Sequence, residues 1–167
     1  MTEPLLRAAQ SSDLSRIIEI YNHYIENTAI TFDLEPYTEE TRRSWFESFA
    51  IEGPHRLFVL EARNVVMGYA SSTRFRKKAA YDTSVETSVY LAHDAVGQGF
   101  GRHLYKRLFD ALEAEPSLHR AYAGITLPNP RSVAFHESFD FRLIGTYHEV
   151  GFKFGVYHDV AWFEREL

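Results

Sequence analysis

The tightest constraint on this chain is a run of alternation that ends in glycine. Thr83 to Ala92 alternates, with Val85, Thr87, Val89 and Leu91 on one side and Ser84, Glu86, Ser88 and Tyr90 on the other. That period of two is the pattern of a half-buried strand. Gly97-Gln98-Gly99-Phe100-Gly101 comes next, and from Arg102 onward Leu104, Leu108, Ala111 and Leu112 recur at helical spacing. A strand, a glycine-rich turn and a helix in this order can be a plain surface turn. They can also be an anion cradle. Glycines let the backbone approach a ligand and aim successive N–H groups at it, and the helix adds its positive N-terminal end. The third glycine is misplaced for a dinucleotide fingerprint, and no acidic residue follows at a strand end ~20 residues on. No Gly-Lys-Ser/Thr is present, which excludes a P-loop. A phosphate-containing ligand of another kind is what this turn could still hold.

The other elements frame that unit. Leu5 to Ala9 is a short apolar stretch, predicted as a strand. Ser11-Ser12-Asp13 reads as a helix start, with a hydroxyl to cap and an acid in the first turn. Leu14, Ile17, Ile18, Tyr21, Tyr24 and Ile25 then form one apolar helix face. Thr38 to Phe49 is a second predicted helix, with Trp45, Phe46 and Phe49 as its apolar side. Arg56 to Arg63 and Val65 to Arg76 read as strands about a tight turn at Arg63-Asn64. Arg120 to Leu127 is a strand, Arg131 to Phe139 a helix and Leu143 to Val150 a strand, and the residues around Trp162 close the chain in β structure. The order β-α-α-β-β-β-α-β-α-β-β predicts an α/β fold: a mixed, twisted sheet with helices packed on it.

No repeat and no linker divides the 167 residues, so one domain over 1–167 is expected. Thirteen Phe, ten Tyr and two Trp can supply a sizeable core. A net charge of −5 is a poor match to nucleic acid. The absence of Cys excludes disulfides, a Cys nucleophile and thiolate metal centres. The eight His are scattered without metal-ligand spacing, and no Gly-x-Ser-x-Gly elbow occurs. No apolar run approaches the ~18 residues of a membrane helix. Met1-Thr2-Glu3-Pro4 lacks the pattern of a signal peptide. A soluble, cytoplasmic protein is the default expectation.

Several side chains carry two readings each. Glu86 is either a solvent-facing strand residue or a partly buried carboxyl whose pKa rises toward that of a general base. Asn129, before Pro130, is a plausible helix cap or a ligand contact. His136, one turn after Ser132, is a boundary residue or a proton donor near neutral pH. Arg74, Arg76, Lys77 and Lys78 form a solvated basic run or an anion clamp. Phe32 and Trp45 are core or pocket wall.

Taken together, the chain resembles the GCN5-related N-acetyltransferase superfamily, and within it the phosphinothricin/methionine sulfoximine N-acetyltransferase group. The likeness is carried by Asn27-Thr28-Ala29-Ile30-Thr31-Phe32, by Ser84 to Leu91, by Val96-Gly97-Gln98-Gly99-Phe100-Gly101, by Leu127-Pro128-Asn129-Pro130-Arg131-Ser132 through His136-Glu137, and by Gly151 to Gly155 with His158-Asp159-Val160. The chain departs from the pattern at Val96, where Gln or Arg is usual, at Asp140, where Gly is usual, and at Asp82, where many members carry a basic residue.

The resemblance implies direct acetyl transfer from acetyl-CoA to the primary amine of a small amino acid or analogue. Glu86 is then the expected general base and His136 the expected acid toward the leaving thiolate. Val89, Tyr90 and Leu91 would line the pantetheine arm. Gly97, Gln98, Gly99, Phe100, Gly101 and Arg102 would hold the pyrophosphate, with Asn129 and Ser132 on the cofactor as well. Arg76 is the first candidate for an acceptor carboxylate and Arg74 the second, with Phe32, Phe75, Thr87 and Ser88 lining the pocket. A homodimer without nucleic-acid or membrane partners is implied too. Acetylation of a peptide N-terminus or a polyamine, or a non-catalytic acyl-CoA-binding module, are the alternative readings.

Overall fold

β2 (Leu57–Ala62) shows how the sheet is buried on both sides. Phe58 and Leu60 belong to one apolar cluster, and Leu57 and Val59 belong to another. Strict alternation therefore serves two cores rather than one core and solvent. The structure, a computed structural model, describes residues 4–167; Met1 to Glu3, the opening of the stretch read for a signal peptide, lie outside the described residues.

Seven strands form one sheet in the order β1-β2-β3-β4-β5-β7-β6. They are β1 (Leu5–Ala8), β2, β3 (Val65–Arg74), β4 (Ser84–Leu91), β5 (Arg120–Thr126), β6 (Arg142–Lys153) and β7 (Val156–Glu166). All pairs are antiparallel except β4 with β5. Helices α1 (Leu14–Asn27) and α2 (Glu39–Phe46) cover one face through Ile17, Ile20 and Trp45. Helix α3 (Phe100–Leu112) covers the other through Leu104, Tyr105, Leu108 and Leu112, joined there by Val133 and Phe135 of α4 (Pro130–Glu137). The element order is the one the sequence predicts. Among the described residues no helix is long and apolar enough to cross a membrane.

Boundaries differ where tertiary contacts decide them. The second helix stops at Phe46 rather than Phe49, and Thr38 caps it by accepting from the Thr41 N–H at 3.2 Å. The last hairpin is longer than expected, because β6 runs from Arg142 to Lys153 against β7. Ser11 to Asp13 is a single 3-10 turn, and no hydroxyl caps α1. The Asp13 carboxylate instead accepts the Gln10 N–H at 2.7 Å and both guanidinium arms of Arg7 at 2.6 and 2.9 Å. Asp140, standing where glycine is usual, has φ of 63°, so the left-handed position persists without the glycine.

Candidate active site

The parallel pairing of β4 with β5 is short. It spans Ser84↔Arg120, Val85↔Ala121 and Glu86↔Tyr122, and then stops. β4 continues along β3 to Leu91, while β5 continues along β7 to Thr126. The strands separate just past Glu86, leaving part of the β4 backbone without a ladder partner. In an otherwise paired sheet such an edge needs another partner. A cleft opens there, lined by Thr87 to Tyr90, Gly124 to Thr126, Asn129, Ser132 and His136, with Ile30 at its side.

Glu86 sits at the fork, on the face covered by α1 and α2. Its carboxylate makes no hydrogen bond or ion pair among the described residues. Burial raises its pKa above the ordinary value, and the nearby Arg76 charge only partly opposes this. The aromatic wall beside it comes from two strands, β5 and β7, and the segment after β3. Phe75 stacks on Tyr122 at 4.2 Å and meets Trp162 edge-on at 5.9 Å. The Arg76 guanidinium lies over Phe75 at 4.0 Å and over Trp162 at 5.3 Å. The Trp162 ring lies over Gly124, its register partner, where a Cβ would come within 3.2 Å of the ring. Trp162 and Tyr122 escape the sequence reading because only strand register places them beside Glu86.

Two pocket expectations change. Thr87 lies on the α3 face, opposite Glu86, and its hydroxyl shares a 2.7 Å hydrogen bond with Tyr105 and donates to the Tyr122 carbonyl at 3.3 Å. It lines the cleft, as expected, but with its hydroxyl turned to the side of the strand away from Glu86. Arg74 is held by Asp82 at 2.7 and 2.9 Å, so the carboxylate that departs from the group's pattern neutralises the second basic candidate. Ser88 keeps to the Glu86 face and pairs its hydroxyl with Ser71 at 3.0 Å.

Phe32 sits on a pinned loop against the last hairpin, its ring 6.1 Å from that of His158. Lys153 Nζ donates to the Thr31 carbonyl at 2.8 Å, while the Tyr21 hydroxyl donates to Asp33 at 2.6 Å and shares a 2.7 Å bond with the Thr31 hydroxyl. A side chain at Gly151 would overlap the Phe32 ring, so that glycine makes room for the loop.

Beyond the C-terminal end of β4, Gly97 and Gly99 have φ of 91° and 83° and open space where a Cβ would point. Gly99 caps α3, whose first N–H groups lack intrahelical acceptors. Gly101 packs near Leu91 and Phe135. Glycine at these positions and free N–H groups fit a diphosphate. Gln98 turns back to the Asp94 carbonyl and Arg102 reaches Ser138, so the turn offers backbone rather than these side chains. Asn129 does cap α4, accepting from the Ser132 N–H at 3.1 Å, which leaves its amide N–H groups for a ligand. The Leu91 carbonyl is already taken by the Tyr24 hydroxyl at 2.7 Å.

His136 lines the cleft with its ring held on one side by the backbone of α4. Its Nδ1 lies 2.8 Å from the Ser132 carbonyl, so in the neutral ring Nδ1 carries the proton and Nε2 a lone pair. Burial among Tyr105, Phe135 and Phe141 lowers its pKa, outweighing the Ser132 bond that raises it. At neutral pH the side chain therefore presents an acceptor to the cleft, so that it could protonate a leaving group only with a proton first taken up there.

Residues 6–162 match the family described as acetyltransferase (GNAT) domain. The chain is 52% identical over 167 residues to a phosphinothricin N-acetyltransferase of Streptomyces coelicolor, with 99% of this chain and 97% of the relative covered. It is 33% identical to an L-methionine sulfoximine/L-methionine sulfone acetyltransferase of Salmonella typhimurium, covering 97% and 94%. Among solved structures, a GNAT superfamily phosphinothricin acetyltransferase from Sinorhizobium meliloti in complex with AcCoA matches with a TM-score of 0.92 at 33% identity, over 98% of this chain and 88% of that one.

Proposed function

Because the chain belongs to the GNAT acetyltransferase family, it is an acetyl-CoA-dependent N-acetyltransferase, and we propose that its acceptor is the primary amine of a small amino acid or analogue of the phosphinothricin or methionine sulfoximine type. One observation carries the acceptor reading: an unpaired, half-buried carboxyl at the fork of β4 and β5 stands beside an arginine held flat on an aromatic wall.

An α-amino group titrates near 7.7–8.0 and must be neutral to attack. Glu86, with its raised pKa, is matched to take that proton. Arg76 presents a planar fork suited to the acceptor's carboxylate. The N–H groups from Gly97 to Gly101 would hold the donor's diphosphate, and the free part of β4 would pair with its arm. The acetyl group is what the donor brings. Asn129 amide N–H groups and the Ser132 hydroxyl border the arm. His136 Nε2 accepts the proton lost by the attacking nitrogen as the amide forms and returns it to the departing sulfur. No net proton stays on the ring. Holding both reactants in one cleft supplies much of the rate.

The decisive measurement for this reading is CoA thiol release across amines. Release with phosphinothricin or methionine sulfoximine, and not with spermidine or a peptide N-terminus, is the expected result. The reverse ranking would overturn the acceptor class. For His136, substitution by Phe keeps an aromatic side chain in the Tyr105, Phe135 and Phe141 packing and removes the lone pair. We expect kcat to fall about 10²-fold with the KM for acetyl-CoA unchanged and the fold intact by circular dichroism. An unchanged kcat would take His136 out of proton transfer.

We also read the protein as a cytoplasmic homodimer. The β6–β7 hairpin supports the homodimer, since Leu143, Ile144, Tyr147, Phe152, Val156 and Tyr157 are all at least half exposed on an edge of the sheet. Apolar side chains gathered this densely on an edge are characteristic of an interface.

A further inference from the structure

Arg42 has no part in the chemistry above, yet its setting is unusual. Its guanidinium lies over three rings, at 4.0 Å from the centroid of Trp45, 4.4 Å from Tyr37 and 4.8 Å from Tyr21. Its neighbour Arg43 pairs with Glu39, Arg74 with Asp82 and Arg7 with Asp13. Arg42 makes no ion pair, and its guanidinium N–H groups meet no acceptor among the described residues. A guanidinium held flat by aromatic faces keeps its five donors pre-organised for a planar or tetrahedral anion.

The cage borders the acceptor side of the sheet. Tyr21 meets Tyr90 edge-on at 5.0 Å, and Tyr90 shares its strand and face with Glu86 and Ser88. The charges of Glu86 and Asp33 bear on the Tyr90 phenol, and so does that of Arg42. A second unused polar group lies in the same cluster. The Tyr69 hydroxyl is buried without a hydrogen-bond partner, its ring 5.5 Å from that of Tyr90 and 6.2 Å from that of Trp45. Arg76 serves the Glu86 end of β4, whereas Arg42 stands at the Tyr90 end. Asp33, which accepts from the Tyr21 hydroxyl at 2.6 Å, is the negative group on this side of the cage.

We propose that Arg42 is a specificity residue that takes a negative group on the acceptor's side chain, so that the preferred acceptor is an amino acid bearing a second anion, carboxylate or phosphinate, beyond its α-carboxylate. This rests on the amino-acid reading of the site.

The test compares wild type with Arg42→Met and Arg42→Lys on two acceptors. Phosphinothricin carries the second anion, and methionine sulfoximine does not. For Arg42→Met we expect the KM for phosphinothricin to rise at least about tenfold, the loss of a charged hydrogen bond. The KM for the sulfoximine should stay within about twofold, and that for acetyl-CoA should not move. Arg42→Lys should fall between wild type and Arg42→Met for phosphinothricin. Thermal melting of each variant separates lost packing from lost recognition. Equal changes for both acceptors would make Arg42 a structural staple and overturn the proposal, as would a wild-type preference for the sulfoximine. If wild type acetylates neither amino acid, the acceptor reading falls and takes this proposal with it.

Discussion

Glu86→Gln is expected to lower kcat/KM by about 10²–10⁴ while leaving the melting temperature at neutral pH unchanged or slightly raised. The two effects share one cause. Burial raises the Glu86 pKa, so the folded protein holds the protonated form more tightly than the unfolded chain does. The stability tied to that proton is complete below the unfolded pKa and is lost as pH rises through the folded one. At neutral pH the ionised carboxylate weighs against the fold, and a neutral amide of the same shape removes the penalty. Activity runs the other way, since only the ionised form can accept a proton. Wild-type kcat/KM should therefore fall as pH drops through a value above the ordinary carboxylate range, and the variant should lack that limb. Steady-state kinetics across pH, paired with thermal melts, measure both. A loss of less than about tenfold would remove Glu86 as the base, and a large drop in melting temperature would make it structural.

The second large effect lies far from the fork. Asp13→Ala is expected to cost about 2–4 kcal/mol, somewhat less than the roughly 3–5 kcal/mol seen when one partner of a fully buried pair is removed. The Arg7 guanidinium binds Asp13 in two places and also reaches Glu61 at 2.8 Å, so one counter-charge survives the substitution. At 2–4 °C per kcal/mol for a domain of this size, the melting temperature should fall by about 5–15 °C. Burial pushes the Asp13 pKa up, but the Arg7 bonds, the Gln10 N–H and the Arg7 charge together hold it below its ordinary value. Its stabilisation is thus present above the unfolded pKa and lost as pH falls through the lower folded one. Replacing both partners, Arg7→Met with Asp13→Leu, should recover part of the loss, because the buried Asp13 carboxylate leaves together with its partner while Glu61 loses the Arg7 charge. A single Asp13→Ala variant that melts with wild type would show that the pair contributes nothing.

Arg7 and Asp13 also mark the limit of local reading. Ser11-Ser12-Asp13 carries a helix-start signal, and a helix does follow it. What Asp13 does there depends on Arg7 and Glu61, which strand pairing brings together from 54 residues apart in the chain. The same holds at the site. Glycines in the turn, the alternation of β4 and the cap at Asn129 are local patterns, legible because backbone conformation and face alternation depend on near neighbours. The fork itself is not local. It arises because β4 and β5 follow different partners after Glu86↔Tyr122, and no spacing in either strand announces it.

Sequence alone determined the element order, the alternation of β4, the glycine turn at Gly97 to Gly101 and the cap at Asn129, since each is written in period and residue type. Tertiary structure alone decided that Arg74 is held by Asp82, that Thr87 faces away from Glu86 with its hydroxyl on Tyr105, that Trp162 walls the site, and that His136 offers a lone pair. Charge, tautomer and exposure depend on partners distant in the chain, and only the folded sheet brings those partners within a few ångströms of one another.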